Sequence, residues 1–316
     1  MKDFSGYKKG VNLGGWLSQC VHTKEHYDTF IEKEDIAKIA SWGVDHVRLP
    51  IDYNLMEKED GSYKEWGFHY IDNAIAWCGE YGLNMVLDLH KAAGYSFDAG
   101  ECESGFFEST ELQERFYKLW EEIAKRYGKY SNRVCFELLN EVTEKDYCDT
   151  WNGIIKKCIG RIRTFAADTV ILVGGYWQNS PAAVKDLDAP YDDKVVYNFH
   201  CYDPLKFTHQ GATWTDLIDP EVRYGFEEFA IDAKYFAEHF ASACEAAKRN
   251  NTVLYCGEFG VIDRVSPEDT VKWFKTIHTA FEQLGINRCA WSYKQMDFGL
   301  SDERLSGVID ELIKYL

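Results

Sequence analysis

Short apolar, β-branched runs alternate along the chain with longer stretches in which apolar residues recur at helical spacing. Eight runs stand out, at Gly10 to Trp16, Asp45 to Ile51, Asn84 to His90, Arg133 to Glu141, Val170 to Gly175, Val195 to Tyr202, Val253 to Gly260 and Arg288 to Tyr293, each followed by a candidate helix. Apolar residues three or four apart mark one helix face at Phe68, Ile71, Ile75 and Cys78. Others appear at Phe116, Leu119, Ile123 and Tyr127, and at Phe274, Ile277, Phe281 and Leu284. Gly43, Gly82, Gly128 and Gly285 fall where helix ends call for a left-handed residue. This alternation is the signature of βα units around a parallel sheet.

Eight such units in 316 residues, somewhat more than the roughly 250 of a minimal barrel, predict an α/β fold of the (β/α)₈ TIM-barrel type. One catalytic domain is expected over residues 1–316. An open doubly wound sheet is the alternative, but it calls for a Gly-rich phosphate loop, and neither G-x-G-x-x-G nor G-x-x-x-x-G-K-[ST] occurs. The largest irregular stretch, Asp203 to about Ala230, carries Pro204, Phe207, Trp214, Pro220 and Tyr224 and reads as a loop on the barrel's C-terminal face.

Composition narrows the chemistry. A formal charge of −17 disfavours nucleic acid, acidic membranes and phosphorylated polymers as partners and suits a neutral substrate. Aromatic residues make up 16% of the chain, with ten Trp and twenty Tyr, and aromatic faces suit the C–H faces of sugar rings as well as a core. The ten cysteines form no C-x-x-C pair or regular framework, and Cys135, Cys158, Cys244 and Cys256 fall in apolar patterns; they read as reduced core residues. No run of about 18 apolar residues is present, and Met1-Lys2-Asp3-Phe4 lacks the apolar stretch of a signal peptide. The expectation is a soluble monomer, cytoplasmic unless the sequence is a mature or trimmed form.

Active sites of such barrels lie at the C-terminal strand ends. There the sequence places Arg48, His90, Asn140 and Glu141, His200 and Tyr202, Glu258 and Trp291, from strands two, three, four, six, seven and eight. Each ionisable group there must be desolvated or paired, so their gathering points to chemistry. Glu141 and Glu258 form the kind of carboxylate pair that glycoside hydrolysis needs across a scissile bond.

Gly10-Val11-Asn12-Leu13-Gly14-Gly15-Trp16, His46-Val47-Arg48-Leu49-Pro50, Phe136-Glu137-Leu138-Leu139-Asn140-Glu141, Tyr197-Asn198-Phe199-His200-Cys201-Tyr202 and Gly257-Glu258-Phe259-Gly260 resemble glycoside hydrolase family 5, in order and across nearly the whole chain. The chain is most similar to small single-domain bacterial endoglucanases of that family, of the clostridial type. Val142 departs from the Pro that many members carry after the acid/base Glu, at a structural position. The resemblance implies a retaining endo-β-glucanase acting on β-1,4 or mixed-linkage β-1,3-1,4 glucan, without cofactor or metal. By the same resemblance, Glu141 would be the acid/base and Glu258 the nucleophile, kept ionised by Arg48 and Tyr202. Asn140 would bind the sugar 2-hydroxyl, and His90 and His200 would bind hydroxyls or steer protonation of Glu141. Trp291 would floor the subsite of the reacting sugar. A β-mannanase or an exo-β-1,3-glucanase uses the same set, and a non-catalytic glycan-binding barrel would keep the aromatics but lose a carboxylate.

Structural readings stand beside these. Arg48 could pair with Glu137, and Asp88 with His90, two residues apart on one strand face. Trp177 and Gln178, beyond strand five, sit where a substrate wall would stand, or are simply surface; Trp214 is a similar case. His22 and His26 have helical i, i+4 spacing but no third metal ligand. No G-x-S-x-G elbow supports a serine hydrolase. Gly14-Gly15-Trp16 reads as tight strand-end packing.

Overall fold

The computed structural model describes residues 4–98 and 100–316. Eight parallel strands close into a barrel in sequence order. They are β1 (Lys9–Asn12), β2 (His46–Asp52), β3 (Asn84–Lys91), β4 (Val134–Glu137), β5 (Ile171–Gly174), β6 (Val195–Cys201), β7 (Leu254–Phe259) and β8 (Asn287–Ala290). Closure runs through Gly10, which aligns with His46 on one side and Cys289 on the other. The expected (β/α)₈ barrel is the observed fold. No helix among the described residues is long and apolar enough to cross a membrane.

The predicted helices form at Glu65–Glu80, Thr110–Tyr127 and Pro267–Leu284, and their apolar stripes face the barrel wall, except that Leu284 is partly exposed at the last position. Gly43, Gly82 and Gly285 adopt positive φ as expected. Gly128 does not: its φ is −58°, because the helix runs on into a 3₁₀ turn over Gly128–Tyr130. A second difference follows β5, where a full helix is replaced by short turns at Tyr176–Asn179 and Pro181–Asp186. All ten cysteines are free; six are buried, but Cys102 is exposed and Cys20, Cys148 and Cys244 are intermediate, so core packing does not describe them all.

The barrel interior is layered. At its N-terminal end Val86, Cys135, Leu172, Val196, Tyr255 and Cys289 form one cluster, plugged from below by Phe4 stacked on Tyr7 at 4.6 Å. Two residues further along β3 and β4, the same inward face presents Asp88 and Glu137 instead. An apolar floor thus supports a polar layer.

Buried tryptophans tie the outer shell to the strand ends. Trp120 of the Thr110–Tyr127 helix donates from Nε1 to the Leu138 carbonyl at 3.0 Å. Trp151 reaches the Gly174 carbonyl at 2.8 Å and Trp273 the Asp203 carbonyl at 3.0 Å. The ends of β4, β5 and β6 are therefore clamped by indole N–H groups that would be unsatisfied elsewhere in an apolar shell. Trp120→Phe should keep the packing and lose the clamp, at a cost of about 1–2 kcal/mol. Trp120→Ala should cost roughly 3–5 kcal/mol by opening a cavity. Urea unfolding midpoints of the two variants measure both.

Candidate active site

Arg48, on β2 and fully buried, organises the polar layer. Its Nε and Nη2 donate to the two Glu137 oxygens at 2.7 and 2.9 Å. Nη1 donates to Glu258 Oε1 at 2.8 Å and to Asn12 Oδ1 at 3.0 Å. Nη2 also donates to Asn140 Oδ1 at 2.8 Å and lies 3.0 Å from Asp88 Oδ2. A guanidinium has five N–H groups in a fixed fork, and every nitrogen is engaged here; a lysine ammonium offers three donors and no fork.

Asn12 and Asn198 extend the network to the peptide that precedes Glu258. Asn12 Nδ2 donates to the Gly257 carbonyl at 2.9 Å, and the Gly257 N–H donates to Asn198 Oδ1 at 2.9 Å. Asn198 Nδ2 also donates to Glu137 Oε1 at 2.7 Å. A Cβ at position 257 would lie 2.7 Å from Asn198 Oδ1, so only glycine admits this approach. Sequence reading missed Asn12 and Asn198 as site residues. Their signal was an amide at an inward position of an otherwise apolar strand.

Glu141 is not on β4, which ends at Glu137. Asn140 and Glu141 follow in an irregular segment: the Asn140 N–H donates to the Leu89 carbonyl at 3.1 Å, and Glu141 takes a φ of +44°. Tyr95 holds it there, donating from its hydroxyl to the Glu141 carbonyl at 2.6 Å. This turn carries the Glu141 side chain over the barrel mouth. Trp291 likewise lies just past β8 rather than on it.

There the predicted groups converge. His200 Nδ1 is 2.7 Å from Glu141 Oε1 and 3.6 Å from Glu258 Oε2. The Tyr202 hydroxyl donates to Glu258 Oε2 at 2.8 Å. Carboxylate oxygens of Glu141 and Glu258 come within 4.8 Å of each other. Asn140 Nδ2 is buried and has no hydrogen-bond partner among the described residues. His90 pairs through Nδ1 with Asp88 Oδ2 at 2.5 Å, and its ring lies parallel to Trp291 with centroids 5.7 Å apart.

Burial, the negative charge of Glu258 and only partial relief from Arg48 push the Glu141 carboxyl well above its ordinary value. Glu258 is also raised by burial, but Arg48 and the Tyr202 hydroxyl pull the other way. A single shared proton therefore belongs on Glu141. His90 is held neutral, its pKa lowered to about 4 by burial and Arg48. Burial raises Asp88 and Glu137 to about 7 against the pull of Arg48.

Around these groups runs an open cleft of about 830 Å³. Trp177 and Trp214, both half exposed, line it, so they are wall residues rather than incidental surface. Gln19, Phe97, Asp98, His209 and Leu217 also line it. They sit on loops with no pattern to mark them in the sequence. The irregular Asp203 to Ala230 stretch supplies one wall, as expected. His22 and His26 diverge: His22 contacts the Tyr27 hydroxyl at 2.7 Å and His26 the Gly15 carbonyl at 2.7 Å, so they form no shared ligand pair. Gly14-Gly15-Trp16 is close packing, with a Cβ at Gly14 falling 2.7 Å from the Trp291 ring.

A (β/α)₈ barrel whose mouth holds two facing carboxylates in an aromatic cleft defines a glycoside hydrolase. The family described as cellulase (glycosyl hydrolase family 5) matches residues 6–297, and the chain belongs to it. It is 55% identical to cellodextrinase A of Ruminococcus flavefaciens, over 90% of this chain and 84% of that one. It is 39% identical to endoglucanase C of Acetivibrio thermocellus, over 98% of both. Among solved structures, the cellulose synthase subunit Z of Clostridioides difficile superposes with a TM-score of 0.83 at 26% identity, covering 98% of this chain and 99% of that one.

Because Glu137 is raised from 4.5 to about 7 on folding, its contribution to stability is fully present below about pH 4.5 and lost as pH rises through 7. Glu137→Gln removes that titration. Relative to the parent, the variant should gain stability as pH rises from about 4.5 to about 7. Urea midpoints measured across that range would show it, and a flat difference would contradict the assignment.

Proposed function

We propose that the enzyme is a retaining endo-β-1,4-glucanase acting on cellulose-like or mixed-linkage β-1,3-1,4 glucans, with Glu141 as acid/base and Glu258 as nucleophile. The observation that carries this reading is that one oxygen of Glu141 and one of Glu258 lie within 4.8 Å of each other, in keeping with the short carboxyl separation of a retaining pair. Retaining enzymes place their carboxyl groups roughly 5–5.5 Å apart, whereas inverting enzymes need about 6.5–9.5 Å to admit a water. The open cleft, with Trp177 and Trp214 on its walls, supports binding along a chain rather than capture of a chain end. The names of the relatives, a cellodextrinase and an endoglucanase, support the β-1,4-glucan assignment.

In the first step Glu258 attacks the anomeric carbon while Glu141 gives its proton to the glycosidic oxygen, which departs as the free hydroxyl of the leaving sugar. In the second, the Glu141 carboxylate takes a proton from water as that water attacks the anomeric carbon and releases Glu258. Arg48 and Tyr202, one on each Glu258 oxygen, keep the nucleophile ionised. The unpartnered Asn140 Nδ2 is placed to donate to the 2-hydroxyl of the reacting sugar, a bond that strengthens at the oxocarbenium-like transition state. Trp291 supplies an apolar face beneath that sugar.

Glu258→Gln should reduce hydrolysis to background. Glu141→Ala should slow cleavage of natural glucans by about 10²–10⁴-fold, the usual worth of a positioned general acid. Reducing-end analysis on barley glucan, carboxymethylcellulose, laminarin and mannan tests the substrate. Preference for laminarin or mannan would overturn the β-1,4-glucan assignment, and full activity of Glu258→Gln would overturn the mechanism.

A further inference from the structure

The connection after β5 contains an uncommon backbone: Trp177, Gln178 and Asn179 take φ of 52°, 53° and 56° in succession. Side-chain-bearing residues rarely hold this left-handed conformation. Here it is stitched to the segment that follows Glu141. The Trp177 N–H donates to the Thr143 carbonyl at 3.1 Å and the Gln178 N–H to the Val142 carbonyl at 3.0 Å. One product of this turn is Trp177 in the cleft wall. The other is Asn179, fully buried, with its amide Nδ2 3.3 Å from His200 Nε2. The opposite ring nitrogen of His200 is the one that contacts Glu141.

The surroundings of His200 fix its proton. Nδ1 faces Glu141 Oε1 at 2.7 Å and Glu258 Oε2 at 3.6 Å. A lone pair on Nδ1 would be repelled by the ionised Glu258 oxygen, so the proton sits on Nδ1. The ring is kept neutral by burial and by the neighbouring Arg48. Nε2 therefore carries the lone pair and requires a donor, and Asn179 Nδ2 lies against it.

We propose that Asn179 is a positioning residue for the reaction: by donating to Nε2 it holds His200 as the Nδ1–H tautomer, which donates to Glu141 Oε1 and leaves Oε2 to carry the transferable proton. The inference rests on the assignment of Glu141 as acid/base. The proton on Oε2 passes to the glycosidic oxygen as its bond to the anomeric carbon breaks, and a proton from water returns to Oε2 in the second step. The charged and titratable groups bearing on Glu141 and His200 are Arg48 from β2, Asp88 and His90 from β3, Asp98 beyond it, Tyr202 after β6 and Glu258 from β7. None belongs to the left-handed turn, so Asn179 acts on Glu141 by way of His200.

Two substitutions keep the left-handed backbone accessible: Asn179→Asp and Asn179→Gly. The first preserves size but can only accept, which draws the proton to Nε2; the second removes the partner. Long-range ¹H–¹⁵N correlation on histidine-labelled wild-type enzyme should report His200 with Nδ1 protonated. Turnover should then be compared on cellotetraose and on 2,4-dinitrophenyl β-cellobioside, whose leaving group needs no protonation. Asn179→Asp should lose about 10²-fold on cellotetraose but no more than about threefold on the activated glycoside, with a displaced alkaline limb of the pH profile. Asn179→Gly should lose about tenfold on cellotetraose alone. A wild-type Nε2–H tautomer, equal losses on both substrates, or no loss in Asn179→Asp would overturn the role. Glu141→Ala run beside them separates the two claims: if it keeps full activity on cellotetraose, the acid/base assignment itself has failed.

Discussion

One buried guanidinium holds the mouth of this barrel together. Arg48 is enclosed by Asp88, Glu137 and Glu258, with the amides of Asn12 and Asn140 completing its shell. Removing a charge from water costs several kcal/mol after relaxation, and that cost is offset only when geometry and hydrogen bonding are nearly complete. Here every guanidinium nitrogen has a partner. Burial raises Asp88 and Glu137 to about 7, and one cation shared among three carboxylates offsets this only in part. The same shortage of positive charge separates Glu141 from Glu258: the one touching Arg48 is drawn toward ionisation, and the one that Arg48 relieves only in part keeps a proton.

The rest of the fold serves that arrangement. The apolar plug around Phe4 and Tyr7 closes the N-terminal end of the barrel, so the polar layer opens only toward the cleft. Indole N–H groups of Trp120, Trp151 and Trp273 clamp the strand ends from outside. Asn12 and Asn198 pin the Gly257 peptide from inside, fixing where Glu258 emerges. Much of the tryptophan content that suggested sugar contacts is thus spent on building the scaffold, with Trp177, Trp214 and Trp291 left to line the cleft.

The barrel was legible because strand and helix periods alternate eight times, and periodicity survives in a sequence whatever the tertiary detail. The residues of the site were legible for a related reason: polar groups at the ends of apolar strands are conspicuous. What the periodicity could not convey was backbone that leaves regular structure. The apolar spacing puts Glu141 on a strand, but a positive φ past β4 is what turns it over the mouth. The helix expected after β5 is absent for the same reason, since Trp177 to Asn179 form a left-handed turn that no apolar spacing announces. Loop residues such as Phe97 and Asp98 enter the cleft through tertiary folding alone.

Glu258, held ionised by Arg48 and Tyr202, is the group expected to form a covalent bond to the sugar. The direct measurement is to treat the enzyme with 2,4-dinitrophenyl 2-deoxy-2-fluoro-β-cellobioside, which slows breakdown of any glycosyl-enzyme, and to map the modified peptide by mass spectrometry. One fluorocellobiosyl group on Glu258 is expected. A label on Glu141, or turnover with no covalent adduct, would contradict it.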